Sequence, residues 1–344
     1  MRVALVAPFV AAIDERAPQI GGAQAVIADL ARGLARRGHD VTLVAPRGSF
    51  VTGATIADLG IAADASAALG RGGGGTSQRD AFAAVSGWLS SRSFDVIHGH
   101  AFDAPAFATL RGPRVVHTLH LPPVDPTVVA AVRAADAMLA TVSESSRSAW
   151  AAAGVRVPER LPNGIDLAAV PVGHGDGGYL AFAGRIAPEK DPAAACRVAL
   201  ARGTPLRLAG PVYDEGYFQR ELAPLLDDGV RYEGSLDRAG LWRMLGGAIA
   251  TLQPVRWDEP FGMVALESLG CGTPVVAYRR GGLVDVIVDG RSGCLVEPGD
   301  EGALAGAVAT ASSLSRAACR SDAARHDLAR MLDAHETLYR RIAG

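Results

Sequence analysis

The chain has 344 residues, 49% of them hydrophobic, with 34 basic and 36 acidic side chains and a formal net charge of −2. This length exceeds one ordinary core and suits two domains of roughly 150 residues each. The near-neutral charge excludes a global pull toward nucleic acid or an anionic membrane.

The opening run Met1-Arg-Val-Ala-Leu-Val-Ala-Pro8 is too short for a signal peptide and reads as a buried first strand. No stretch reaches the roughly 18–20 apolar residues that a bilayer requires. Short apolar runs at Val3–Ala7, Val41–Ala45, Val96–His98, Val115–Leu119 and Met138–Val142 predict the strands of a first domain. Runs at Leu180–Ala183, Leu206–Ala209, Ile249–Leu252, Val275–Ala277 and Cys294–Val296 predict those of a second. Helical patterns lie between them, such as Ala25–Arg37 with Val26, Ile27, Leu30 and Leu34 on one face. Alternating strands and helices imply parallel sheets with right-handed crossovers. The fold class expected is therefore α/β, with two doubly wound, Rossmann-like domains.

The Gly- and Pro-rich segment Leu167–Gly178 predicts a flexible link between the domains. We take residues 1–168 as the first domain and 169–325 as the second, with a final helix from 326 to 344. Leu328, Met331, Leu332, Leu338 and Ile342 recur in that helix at helical spacing. Arg71-Gly-Gly-Gly-Gly-Thr-Ser77 is expected to be a surface loop. The four cysteines, Cys196, Cys271, Cys294 and Cys319, form no C-x-x-C pair and have no histidine at metal-ligand spacing. Reduced thiols in a cytoplasmic protein are the expectation.

In open α/β sheets, ligands sit beyond the carboxyl ends of the strands, and the unusual residues collect there. Gly21-Gly22 precedes a helix whose free N–H groups suit an anion, although such a pair also serves as a plain turn. His98 and His100 end one strand; His117 and His120 end the next. Gly184-Arg185-Ile-Ala-Pro-Glu-Lys190 places two cations just beyond a strand, where they suit a pyrophosphate leaving group. Lys190 is the only lysine in a chain that otherwise uses Arg. Its survival suggests a site that needs a compact ammonium on a flexible stem. Glu259-Pro-Phe-Gly-Met-Val-Ala-Leu-Glu267 opens a helix near Met263. Its N-terminus can face a diphosphate, with Glu259 toward sugar hydroxyls and Glu267 toward a ribose diol. Both acids could also simply complement the helix dipole. Two such sheets facing each other would form one cleft.

With these segments in place, the sequence resembles the retaining glycosyltransferases of family 4, which have the GT-B fold. The resemblance runs from Gly21-Gly22 through Phe94-Asp-Val-Ile-His-Gly-His100, Val142-Ser-Glu144, Leu161-Pro-Asn-Gly-Ile-Asp166 and Phe182–Lys190. It continues through Glu233-Gly234 and Glu259–Glu267 to Gly272-Thr-Pro-Val-Val276, Gly281-Gly282 and Asp289-Gly290. It implies that Arg185 and Lys190 bind the diphosphate beside Gly184. It implies that Glu259 holds the transferred sugar with the N–H groups of Phe261, Gly262 and Met263, Val264 lying next to them. Glu267 would bind ribose, Gly22 beside Gly21 would approach the diphosphate, and His120 would lie near the donor sugar. His117 and His100 are structural or acceptor-side. The final helix would return to the first domain.

The resemblance favours a UDP-sugar donor, with GDP-mannose next, and leaves natural-product, thiol-precursor, lipid and polysaccharide acceptors open. Two departures stand out: Ala23-Gln24 where many relatives carry Glu or Ser, and Asp191 where Gly is frequent. No D-x-D occurs, so neither a metal nor another cofactor is expected. A nucleotide-sugar epimerase is the alternative. A dehydrogenase lacks its G-x-G-x-x-G, a pyridoxal-phosphate phosphorylase lacks a lysine in the right place, and a dead sugar-binding protein would not need Arg185, Lys190, Glu259 and Glu267 together.

Overall fold

A computed structural model describes residues 1–17, 21–67 and 75–344. Within them the chain divides into two compact units, residues 1–164 with 328–344, and residues 165–327.

The first unit holds a parallel sheet of β1 (Arg2–Val6), β2 (Asp40–Val44), β3 (Thr55–Ala57), β4 (Val96–Gly99), β5 (Val115–Leu119), β6 (Met138–Thr141) and β7 (Glu159–Arg160). Their order is β3-β2-β1-β4-β5-β6-β7. Central strands are largely apolar and buried because helices cover both faces. Val3, Ala4, Leu5 and Val6 are fully buried, and Phe9 meets Phe82 edge-on at 5.6 Å. The helix Gly22–Arg36 starts three residues before its expected beginning and buries Val26, Ile27, Leu30 and Leu34. The helix Leu328–Ala343 packs in this same unit against Gly22–Arg36 and β4. Leu332 lies against Gly33, and Arg37 pairs with Asp333 at 2.7 Å.

The second unit holds β8 (Leu180–Ala183), β9 (Leu206–Ala209), β10 (Val230–Tyr232), β11 (Thr251–Gln253), β12 (Val275–Tyr278) and β13 (Gly293–Val296), also parallel. Their order is β10-β9-β8-β11-β12-β13. The doubly wound α/β class read from the sequence is thus observed twice. In each sheet the winding reverses beside its first strand, between β1 and β4 and between β8 and β11. Such a switch point leaves an opening at the carboxyl ends of the two strands, where ligands bind.

Two expectations need correction. The segment Leu167–Gly178 is not a loose link: Arg320 donates to the carbonyls of Leu167 at 2.6 Å and Val170 at 2.8 Å, and Arg316 donates to that of Gly173 at 3.0 Å. Guanidinium forks on the helix Arg316–Ala323 therefore tie an irregular backbone onto the second unit. In the glycine run, residues 71–74 lie outside the described residues, whereas Gly75, Thr76 and Ser77 open the helix Gly75–Ser90.

Candidate active site

In the second unit, adjacency of β8 and β11 brings together segments far apart in sequence. Gly184-Arg185 leaves the end of β8, and the loop to Glu259 leaves the end of β11. Lys190 and Glu259 form an ion pair, both side chains 14% exposed. The Trp257 indole N–H donates to the same Glu259 oxygen at 2.7 Å, and the Lys190 ammonium lies 4.8 Å from the Trp257 ring centre. Arg185 pairs with Glu189 at 3.0 Å and lies 4.8 Å from the Tyr213 ring and 5.6 Å from that of Trp257. Stacking on aromatic faces steadies a guanidinium without neutralising it.

Lys190 is also set by its neighbour. Asp191 is the only non-glycine residue with positive φ among the described residues, at 47°. This left-handed conformation explains why glycine suits the position; Asp tolerates it because its short side chain can bond locally. Its carboxylate caps the helix Pro192–Arg202 through the Ala194 N–H at 3.2 Å and holds Arg256 at 2.5 Å. The departure from glycine thus fastens the Lys190 turn to the β11 loop, whose Arg256 N–H also bonds the Glu189 carbonyl at 2.9 Å.

The helix Met263–Gly270 begins at Gly262, whose φ of 97° is accessible chiefly to glycine. Gly281 and Gly282 pack against the preceding loop: a Cβ on Gly281 would stand 2.3 Å from the Glu259 carbonyl oxygen, and one on Gly282 2.6 Å from the Phe261 Cα. The Phe261 ring is buried and meets His326 edge-on at 5.2 Å. These contacts fix the N–H groups of Phe261, Gly262, Met263 and Val264 at the helix start, where backbone donors have no intrahelical acceptor. Glu267 is buried one turn on. Trp242 donates to it at 3.3 Å, and the Arg238 guanidinium lies 3.6 Å away.

In the first unit, Gly21 caps the helix Gly22–Arg36 without a side-chain bond. The Gln24 amide folds back over it, since a Cβ on Gly21 would stand 2.9 Å from Gln24 Oε1. His120, beyond β5, is 7% exposed, and its Nε2 bonds His100 Nδ1 at 2.9 Å. His98 bonds the Tyr339 hydroxyl at 2.6 Å and Thr118 Oγ1 at 2.7 Å, and its ring lies 3.9 Å from that of His100. His117 Nε2 bonds the Leu110 carbonyl at 3.0 Å. Burial pushes His117 and His120 down to about 4, and holds His98 and His100 well below the ordinary imidazole range. All these rings are neutral at pH 7.

Trp257, Tyr213, Trp242 and Arg238 escaped the sequence reading. An aromatic two residues from a loop glutamate was the only available signal. The four cysteines are buried and unpaired. Burial raises the Cys196 and Cys271 thiols to about 12, so neither supplies a thiolate nucleophile. Among the described residues no group of three or more His, Cys, Asp or Glu could hold a metal, and no helix is long and apolar enough to cross a membrane.

Residues 20–169 match the family described as Glycosyltransferase Family 4, and residues 171–326 that described as Glycosyl transferases group 1. The chain is 29% identical over 358 residues to the phosphatidyl-myo-inositol mannosyltransferase of Propionibacterium freudenreichii subsp. shermanii, covering 95% of this chain and 88% of that protein. It is 37% identical over 149 residues to D-inositol 3-phosphate glycosyltransferase 2 of Catenulispora acidiphila, a match spanning 39% of this chain and only 35% of that relative. Among solved structures, sucrose-phosphate synthase from Thermosynechococcus elongatus superposes with a TM-score of 0.81 at 19% identity, over 99% of this chain and 98% of that one. Anabaena HepE in complex with UDP-glucose gives 0.73 at 18% identity, over 98% and 99%. Epimerisation, the alternative raised by the sequence, finds no support among these matches. The two family matches together span nearly the whole chain, both units carry the doubly wound sheets of the GT-B enzymes, and the chain belongs to the family 4 glycosyltransferases.

Proposed function

We propose that the protein transfers a glycosyl group from a nucleoside-diphosphate sugar to an acceptor hydroxyl, with retention of anomeric configuration and without a metal. A UDP-sugar is the favoured donor, GDP-mannose the next. One observation carries this reading: at the β8–β11 switch point, Lys190 pairs with Glu259 just before the helix Met263–Gly270, and both Lys190 and Arg185 lie over the Trp257 ring.

The cations and the N–H groups of Phe261, Gly262, Met263 and Val264 would receive the diphosphate, with Gly184 giving its backbone room. Their charge stabilises the phosphate as it leaves, the role a divalent ion plays elsewhere. Lys190 exchanges the Glu259 carboxylate for phosphate oxygen, and Glu259, still held by Trp257, turns to the hydroxyls of the sugar. Glu267 takes the ribose diol. Gly21, Gly22 and His120 of the first unit are assigned to the donor's diphosphate and sugar on the family resemblance. In the transfer, the bond from the anomeric carbon to the phosphate oxygen breaks and a bond to the acceptor oxygen forms on the same face. The acceptor proton passes to the departing phosphate oxygen. The mannosyltransferase named above acts on an inositol lipid, as its name states; a polyhydroxy or lipid-linked acceptor is compatible with that relationship.

Binding only to the folded state raises stability by about 2.7 kcal/mol at a ligand concentration of 100 Kd. Thermal shifts with UDP, GDP and inorganic diphosphate in excess EDTA therefore test the site directly. A nucleoside diphosphate should raise the melting temperature, and subsequent transfer from the matching α-linked donor should give an α product. Loss of transfer in EDTA that Mg²⁺ restores, or a β product, would overturn the metal-free or the retaining part of this reading respectively.

A further inference from the structure

The histidines of the first unit contain an asymmetry that fixes protons. His98 has both ring nitrogens engaged, by the Tyr339 and Thr118 hydroxyls. His100, stacked on it and 1% exposed, has only one: Nδ1 meets His120 Nε2 at 2.9 Å, while Nε2 is buried with no hydrogen-bond partner. Burial keeps both rings neutral, so each carries one proton.

Two arrangements satisfy the shared bond. If His100 carries its proton on Nε2, a buried N–H has no acceptor, and His120 must donate from its own Nε2. If the proton is on His100 Nδ1, it donates to His120 Nε2 and only a lone pair at His100 Nε2 goes unmatched. Orphaned buried N–H groups are the rarer defect, and leaving a donor unpaired carries its full desolvation cost. We infer that His100 is the Nδ1–H tautomer and thereby fixes His120 as Nδ1–H, so that the free nitrogen of His120 is a hydrogen-bond donor and never an acceptor.

This assigns His100 a positioning role. The tautomer of an imidazole is set by the bond its other nitrogen makes. A neutral N–H at His120 Nδ1 would recognise an oxygen lone pair, such as that of a sugar hydroxyl, and would not remove a proton from it. The functional consequence rests on the proposed contact between His120 and the donor sugar; the tautomer assignment does not.

The test uses the full chain labelled with ¹⁵N at histidine. Long-range ¹H–¹⁵N spectra distinguish Nδ1–H from Nε2–H rings, and a His120→Ala variant identifies the His120 signals by their disappearance. His120 and His100 should both be Nδ1–H. An Nε2–H pattern for His120 in the parent protein overturns the inference. His100→Asn retains an N–H donor near the former Nδ1, whereas His100→Phe removes it. With folding checked by circular dichroism, His100→Phe should leave His120 a mixture of tautomers and lower kcat about tenfold with donor KM little changed; His100→Asn should recover most of that loss. A single Nδ1–H tautomer and unchanged kcat in folded His100→Phe would sink the positioning role. If His120→Ala transfers sugar like the parent while the parent spectra show Nδ1–H, the tautomer assignment stands and the sugar contact of His120 fails.

Discussion

Lys190 and Glu259 neutralise each other at the end of the second sheet, and this pairing shapes what their substitution does. On the proposed assignment, Glu259→Gln removes a sugar ligand, and it releases Lys190 from a competing carboxylate. Turnover should fall at least tenfold, while UDP affinity by calorimetry stays equal or rises; a marked loss of UDP binding would place Glu259 on the nucleotide. Glu267, buried against Trp242 and Arg238, faces a different partner. Glu267→Gln should weaken UDP itself, by roughly 1–3 kcal/mol for a charged hydrogen bond, and the reverse pattern would show the two acids exchanged. Lys190→Arg keeps the charge but substitutes a broad planar fork for a compact ammonium that already lies against Trp257. A misplaced charge costs more in the transition state than in the ground state. The expected loss in kcat is ~100-fold, about 2.7 kcal/mol, with a smaller change in UDP affinity. Parent-like turnover in Lys190→Arg, with Arg185→Lys also silent, would remove this segment from the site.

At the scale of the elements, the sequence was readable where burial was complete. Every predicted strand appears within two residues, because strands buried in a parallel sheet carry short runs that are mostly apolar. The strands missed are β3, β7 and β10, of three, two and three residues, all at sheet edges. Arg231 and Arg160 are exposed there, and so short a run with one covered face has no period to detect. For the site, strand-end glycines, the lone lysine and the acidic helix start could be found in sequence. The aromatic and arginine partners could not, since Tyr213, Arg238 and Trp242 reach it from other elements and no spacing announces such contacts. The pairing of the helices Gly22–Arg36 and Leu328–Ala343 gives an element-scale prediction. A Cβ at Gly33 would stand 2.7 Å from Leu332 Cδ1. Gly33→Val should therefore cost about 1–3 kcal/mol in urea unfolding through overpacking. Leu332→Ala opens space, so in the double variant the Gly33→Val penalty should shrink or reverse. Strict additivity of the two changes would mean that the helices do not press on each other at this point.

Across the whole molecule the buried imidazoles are unevenly shared: His98, His100, His117, His120 and His335 all belong to the first unit. Burial lowers each of them, His117, His120 and His335 to about 4, against an ordinary value near 6.5. A depressed imidazole binds its proton more readily in the unfolded chain. Its contribution to stability is therefore complete above pH 6.5 and is lost progressively as pH falls from 6.5 toward 4. The slope is about 1.4 kcal/mol per pH unit for each ring that charges only on unfolding. Carboxylates held below their ordinary range contribute an acid limb mainly below pH 5 in both units, whereas Asp103 of the first unit, raised to about 7 by burial, offsets about one ring's slope between pH 7 and pH 4. The first unit should consequently soften first on mild acidification, with hydrogen exchange at pH 5.5 accelerating in β4 and β5 before it does in β8 and β11. His335 tests the cause away from the candidate site: its ring bonds the Met331 carbonyl of its own helix at 2.8 Å and lies 5.6 Å from that of His98, whose proton it helps to exclude. His335→Leu should flatten the decline in stability between pH 6.5 and pH 4.5 by close to one proton's worth of slope while leaving the second unit's exchange unchanged. An acid limb of the same steepness in His335→Leu, or equal softening of the two units at pH 5.5, would show that the buried histidines do not set the molecule's response to acid.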